Sequence, residues 1–468
     1  MKVSLVAKLM PAVVAGLAAA LLAGWLALSP QRQVDLRLPG ADRRSPPPTA
    51  ATRSAAEGGT LVRGEGTAAD LPGAWPQFRG PDRTGVSPET ISLPRQWPEG
   101  GPKRLWSVDV GEGHAGAAVL NGRVYVLDYD RDGSADVLRC MSLADGRDIW
   151  RYSYPVRIKR NHGMSRTIPA VSEQFAVSLG PKCHVLCVDA ISGERRWMID
   201  LVREYGTRVP PWYAGQCPLI EDGRVILAPG GDAALLVAVE LGTGKVVWRT
   251  PNPNGWKMTH SSIVPVTVGG RRVYVYCASG GIVGVDATDG TLLWQTAEWK
   301  ISIATVPSPM RVGDGRLFFS GGYGAGSLMA KLPDASGQPP EPLFRLPPGQ
   351  FGSAQQTPIL YEGHIYGVRP DGQLVCLSPD GEILWTSGVD TRFGLGPYLI
   401  ADGLIFVLED HGELRLAEAT PAGYNELARA KVLEGPDAWG PMAIVGGRLL
   451  ARDLNRMVCL DVRAGVTE

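Results

Sequence analysis

From Trp106 onward, short apolar runs are interrupted every few residues by Gly-containing turns, and the interruptions keep one order along the chain. Each unit opens with an apolar run and turns at a pair such as Asn121-Gly122, Asp222-Gly223, Asp314-Gly315 or Asp402-Gly403. It continues through a second apolar strand and a third that ends near Asp or Ser. Asn-Gly and Asp-Gly pairs tolerate the positive φ of a tight hairpin, so each marks a reversal between paired strands. The unit closes on Gly-x-x-x-Trp, as in Gly146 to Trp150, Gly193 to Trp197, Gly244 to Trp248, Gly290 to Trp294 and Gly381 to Trp385, with degenerate copies ending near Phe344 and Leu427. The closing Trp residues from 106 to 294 follow one another at intervals of 44 to 51 positions, the period of a four-stranded propeller blade.

The last copy, Cys459 to Gly465, is in register with Cys187 to Gly193 but lacks its closing Trp, whereas Trp106 is a closing residue with no unit before it. Pairing the two gives an all-β, eight-bladed propeller of four-stranded blades, latched by the strand around Trp106 and leaving no open sheet edge. Runs such as Val185-Leu186-Cys187-Val188-Asp189-Ala190 and Val283-Gly284-Val285-Asp286-Ala287, each followed by Gly-x-x-x-Trp, resemble the PQQ-like β-propeller family. That family includes quinoprotein alcohol dehydrogenases and the outer-membrane assembly lipoprotein BamB. The resemblance covers about residues 102 to 465. The segment Trp75-Pro76-Gln77-Phe78-Arg79-Gly80-Pro81 also resembles the lead-in of exported propeller proteins of planctomycete bacteria.

Four segments are expected: a membrane anchor or signal sequence over 1–29, a disordered linker over 30–73, the lead-in over 74–101 and the propeller over 102–468. Leu9 to Leu28 is uncharged, is preceded by Lys2 and Lys8, and is long enough to span a bilayer as a transmembrane helix. Trp25, Leu26 and Leu28 stand where a cleavage site would need small residues, which favours an uncleaved anchor. The propeller then faces the periplasm from the bacterial inner membrane. Residues 30–73 hold Pro46-Pro47-Pro48 and almost no large apolar side chains, the composition of a solvated tether. In the lead-in, Trp75 and Phe78 could fill a groove and Arg79 could pair with a carboxylate; capping the fold would account for them equally.

Basic and acidic side chains balance at 47 each, so no long-range field draws nucleic acid. Seven cysteines would suggest disulfides in an exported protein, but Cys140, Cys187, Cys376 and Cys459 share one repeat position that Ala238, Gly284 and Ala330 occupy elsewhere. That register implies small buried side chains, hence free thiols. The repeated Trp residues are read as packing between blades.

Two features exceed what the repeat needs. Asp128, Asp130, Asp132 and Asp136, with Gly133 at the turn, offer hard oxygen ligands at a spacing that suits calcium, although Arg139 stands where a bidentate Glu would be expected; the alternative is a solvated acidic hairpin. The loops between blades carry His114, Arg160, His162, Arg166, Arg208, Trp212, Tyr213, Gln216, Lys257, His260, Gln355, Arg392 and Trp439. Gathered at one mouth of a propeller, they would form a site for an anionic or aromatic ligand; as ordinary exposed polar loops, they would need no further explanation.

The family resemblance also implies a second function, a dehydrogenase using pyrroloquinoline quinone and calcium. In those enzymes the quinone lies between a Trp and a vicinal disulfide. Vicinal cysteines are missing here, and no residue presents itself as catalytic. The expectation is therefore a membrane-tethered, non-catalytic scaffold that binds another exported or membrane protein, or a small anionic or aromatic ligand. The dehydrogenase is the alternative.

Overall fold

The computed structural model describes residues 15–25, 58–334 and 337–463. Residues 15–25 form one helix, which belongs to a compact unit separate from the rest. Among the described residues no helix is long and apolar enough to cross a membrane, and the flanks of the expected Leu9 to Leu28 span lie outside them.

The second unit is an eight-bladed propeller. The strands of blade 1 run from Ala117 to Pro155, of blade 2 from Ala170 to Asp200, of blade 3 from Leu219 to Thr250 and of blade 4 from Val264 to Thr296. Blade 5 spans Met310 to Leu346, blade 6 Ile359 to Thr386 and blade 7 Tyr398 to Lys431. Blade 8 combines three strands between Ala443 and Asp461 with the strand Lys103–Asp109, which pairs antiparallel with Arg456–Asp461. The ring is thus closed by the strand that carries Trp106, as the repeat register requires.

Every closing strand has the same irregularity. One extra residue bulges immediately before the closing position, as at Arg196 before Trp197 and Val247 before Trp248. The bulge increases local twist and swings the indole out of its own sheet toward the next blade. There the Trp197 N–H donates to the Leu241 carbonyl and the Trp385 N–H to the Thr420 carbonyl, both at 2.8 Å. The next blade's turn glycine lies against that indole: a Cβ on Gly193, where φ is 76°, would come within 2.6 Å of the Trp150 ring. The Gly-x-x-x-Trp repeat therefore records a contact between neighbouring blades, with the glycine of one blade seated on the Trp of the blade before it.

Opposite each closing residue stands one side chain on the neighbouring strand, and the two vary in compensation. Trp150, Trp197, Trp385 and Trp106 face Cys140, Cys187, Cys376 and Cys459, while Trp248 and Trp294 face Ala238 and Gly284. Blade 5 replaces Trp with Phe344 and sets Met329 opposite it; blade 7 places Ala428 there and Leu416 opposite. In these two blades the strand register sets Met329 and Ala428 at this position, in place of the Ala330 and Leu427 that simple spacing gives. A small residue faces each Trp, and larger ones face Phe344 and Ala428, so the interblade layer stays filled. All seven cysteines are buried free thiols.

The linker expected over 30–73 contains structure that the sequence reading missed. Thr60–Arg63 adds a fifth strand to the outer edge of blade 1, pairing with Trp150–Ser153, and Leu61 packs on the aromatic cluster around Trp150 and Tyr152. A four-residue strand has too little pattern of its own to be legible; the exposed edge supplies its hydrogen-bond partners. Residues 30–57 of that linker lie outside the described residues.

The lead-in crosses the hub on the side opposite the interblade loops. Trp75, fully buried, pairs with Val119 of blade 1. The Pro76 carbonyl accepts from Val171 N of blade 2, and Val86 pairs with Ile400 of blade 7. Between them, Arg79 donates to the Thr357 and Pro358 carbonyls of blade 6, and to those of Arg83 and Thr84 within its own loop. Arg83 donates to the Ile263 carbonyl beside blade 4, and Arg311 of blade 5 to the Asp82 carbonyl. Arg79 thus meets backbone carbonyls in place of the carboxylate considered from sequence. The segment is a plug that ties most of the blades together at the hub.

Candidate functional site

Every interblade loop contributes to one cavity of about 370 Å³ at the hub, walled by His114, His162, Arg166, Trp212, His260, Gln355 and Trp439 among others. Seven of the side chains expected from the sequence are therefore brought together. The cavity's position follows from the hub bonding beneath it. Two residues before each inner strand, a backbone N–H donates to the side chain of the equivalent residue on the next blade: Ile168 to Cys217 Sγ, Cys217 to Ser262 Oγ, Ser262 to Ser308 Oγ and Ser308 to Thr357 Oγ1, at 2.9–3.3 Å. This ladder fixes the spacing of the loops on blades 2 to 6. Phe78 of the plug reaches the cavity from the other side and closes its floor. The channel is consequently a blind pocket open on the loop face.

The pocket has aromatic walls and little charge. His114 stacks on Trp439 with ring centroids 5.1 Å apart, and its Nε2 donates to the His162 carbonyl, which leaves Nδ1 unprotonated and, among the described residues, without a partner. Burial and the nearby Arg452 and Arg166 hold the His114 imidazole down to about 3, and burial with Arg166 holds His260 at about 4. Both rings are neutral at pH 7. Trp439 Nε1 donates to Asp410 Oδ1 at 2.8 Å, which orients the indole. Arg166 braces its own loop by donating to the Asn161, His162 and Gly163 carbonyls; burial lowers its pKa to about 10, so it remains a cation. None of the residues lining the cavity is Asp or Glu.

The other expected side chains serve elsewhere. Tyr213 OH accepts from Lys159 N and donates to the Lys159 carbonyl, clamping two loops together. Gln216 is buried and bonds both backbone groups of Ala228. Arg160 pairs with Glu112 at 2.6 Å, and Arg392 Nε donates to the Val389 carbonyl. Arg208 and Lys257 are exposed and do not line the cavity. Conversely, Tyr323, at the blade 5 hairpin, lines the cavity and was missed because it lies outside the interblade loops.

The four aspartates do not converge. Asp136 stands opposite Tyr129 across the hairpin, and directly paired residues share a face, so it points away from the face of Asp128 and Asp130. Asp128 Oδ2 pairs with Arg139 at 2.9 Å, while its Oδ1 accepts from Gly111 N and Tyr129 N. Asp130 Oδ1 accepts from Gly133 N, and Asp136 Oδ2 accepts from Tyr154 OH. Strand alternation and Arg139 thus disperse the calcium ligands that the linear spacing offered. The quinone and calcium pair implied by the resemblance also finds a poor match at the hub. Calcium takes six to eight oxygens, carboxylates prominent among them, and the cavity wall supplies no carboxylate; the lining Cys217 has no vicinal cysteine.

Fold and hub together define a closed, plugged eight-bladed propeller with a pocket on its loop face. The profile of the PQQ_2 family, described as outer membrane protein assembly factor BamB, matches residues 133–380, more than half of the chain, and the protein belongs to that family. The structure is similar to BamB from Moraxella catarrhalis, with a TM-score of 0.54 and 16% identity over 77% of this chain and 99% of that one. It is also similar to the computationally designed Ika8 protein, with a TM-score of 0.52 and 9% identity over 77% of this chain and 100% of that one. The quinohemoprotein alcohol dehydrogenase ADHIIG from Pseudomonas putida HK5 aligns with a TM-score of 0.45 and 14% identity over 85% of this chain and 82% of that one. At these identities the likeness concerns the fold. No curated protein matches the sequence.

Proposed function

We propose that the protein is a non-catalytic binding scaffold, exported and tethered to the bacterial inner membrane by its apolar Leu9 to Leu28 stretch, with the propeller on the periplasmic side. It captures another exported or membrane protein through the loop face. The observation that carries this reading is the blind pocket: aromatic walls from Trp212, Trp439 and Tyr323, the Arg166 cation and two neutral imidazoles, with no carboxylate in the wall to act as a base or a calcium ligand. Such a surface desolvates an incoming aromatic or anionic group without offering it a reaction. Membership of the BamB family is consistent with an interaction role.

The test is capture of partners from native membranes by the whole chain and by Trp212→Ala and Arg166→Gln variants. Loss of partner with an unchanged circular dichroism spectrum is expected. Variants that retain every partner would remove the loop face from consideration.

A further inference from the structure

Around the pocket, charge is distributed unevenly. The loop from blade 1 to blade 2, residues 156–169, carries Arg157, Lys159, Arg160 and Arg166 and no acidic residue; the loop from blade 3 to blade 4, residues 251–263, carries Lys257 and no acidic residue. Between them, the loop over 201–218 adds Arg203 and Arg208 against Glu204. Arg157, Lys159, Arg208 and Lys257 are exposed and have no side-chain partner among the described residues, and of the loop 156–169 cations only Arg160 meets a carboxylate, that of Glu112. On the far side of the mouth the sign reverses: loop 432–442 carries Glu434 and Asp437 and no cation.

We propose that the mouth receives an acidic peptide segment of the partner protein, with one aromatic side chain of that segment entering the pocket. The inference rests on the scaffold reading and names the partner's chemistry. A cavity of about 370 Å³ has room for one aromatic side chain between Trp212 and Trp439, above Phe78. A free small molecule of that size would leave the rim cations unused, because they lie outside the pocket on three successive loops. An extended chain anchored in the pocket passes over them. A nucleic acid or anionic membrane is disfavoured by the acidic opposite rim and by the balance of 47 basic and 47 acidic residues, which gives a continuous polyanion no track to follow. The acidic stretch therefore lies over blades 1 to 4.

The experiment uses the full chain and fluorescein-labelled heptapeptides, read by fluorescence anisotropy at low and high salt. One peptide has Phe at its centre and Asp or Glu elsewhere; the second has Ser for Phe, and the third has Lys for every acid. The first is expected to bind, the second at least about tenfold more weakly and the third not at all. Added salt and the double variant Lys159→Glu, Arg208→Glu should each weaken the first peptide by about tenfold or more, while Trp212→Ala weakens it without altering its salt dependence. Equal binding of the Phe and Ser peptides would overturn the proposal. So would phenylacetate binding where the peptides do not, or a short single-stranded DNA binding more tightly than the first peptide. If no peptide binds while Trp212→Ala still loses its captured partner, the peptide proposal fails and the loop face stands; if Trp212→Ala keeps every partner, the scaffold reading fails too.

Discussion

Asp136 is fully buried between blades 1 and 2, with Oδ2 accepting from Tyr154 OH and Oδ1 lacking a partner among the described residues. Burial raises its pKa from 3.8 to about 7, against the opposing effect of the Tyr154 hydrogen bond. A shift of about three units corresponds to about 4 kcal/mol. Because the folded-state value is raised, this stability is fully present below pH 3.8 and is lost as pH rises through 7. About 2–3 kcal/mol of it falls between pH 5 and pH 8. His114 and His260 are shifted downward, so they act in the opposite sense, withdrawing stability as pH falls below about 6.5. The difference between wild type and Asp136→Asn isolates the carboxyl, since the amide keeps the Tyr154 bond and does not titrate. Urea unfolding of both proteins at pH 5 and pH 8 should show the variant gaining on wild type by about 2–3 kcal/mol over that interval. A stability difference that stays constant with pH would refute a protonatable, desolvated Asp136.

Other consequences can be checked directly. Met329→Cys should leave a void beneath Phe344 and cost about 1–3 kcal/mol in urea unfolding, and adding Phe344→Trp should restore most of it, because the pair then matches the other blades. Trp150→Ala, at a fully buried interblade position, should cost about 3–5 kcal/mol by the same measurement. Arg79→Ala leaves the carbonyls of Arg83, Thr84, Thr357 and Pro358 without their donor; limited proteolysis should then cut within residues 74–87 at least tenfold faster than in wild type. Proteolysis at the wild-type rate would mean that the plug is held without Arg79, by its remaining contacts at Trp75, Pro76, Asp82, Arg83 and Val86.

The propeller was legible because its contacts are periodic: a turn glycine of one blade meets the closing aromatic of the blade before it, and repeated demands on the chain leave repeated marks. The same periodicity identified the interblade loops and, through them, seven of the side chains in the pocket wall. Positions that depend on three-dimensional register were less legible. Counting residues placed Ala330 and Leu427 at the closing layer, whereas the observed strand register sets Met329 and Ala428 there. The four aspartates looked convergent along the chain, but strand alternation puts Asp136 on the opposite face. Gln216 and Tyr213 share the composition of ligand-binding residues, yet their polar atoms are taken up by Ala228 and Lys159. Tyr323 had a signal of its own, an aromatic residue in the Gly-rich turn Gly321 to Gly324 that is 51% exposed and contributes nothing to blade packing.

The most direct measurement of the central claim is site-specific photocrosslinking in native membranes, with benzoylphenylalanine placed at Tyr323 on the pocket rim and, separately, at Asp380 in a turn on the plugged face. A discrete adduct from position 323, absent from position 380 and lost when Trp212→Ala is added, is the result expected of a scaffold that binds through its loop face. An adduct from position 380 alone, or one from position 323 that persists with Trp212→Ala, would contradict it.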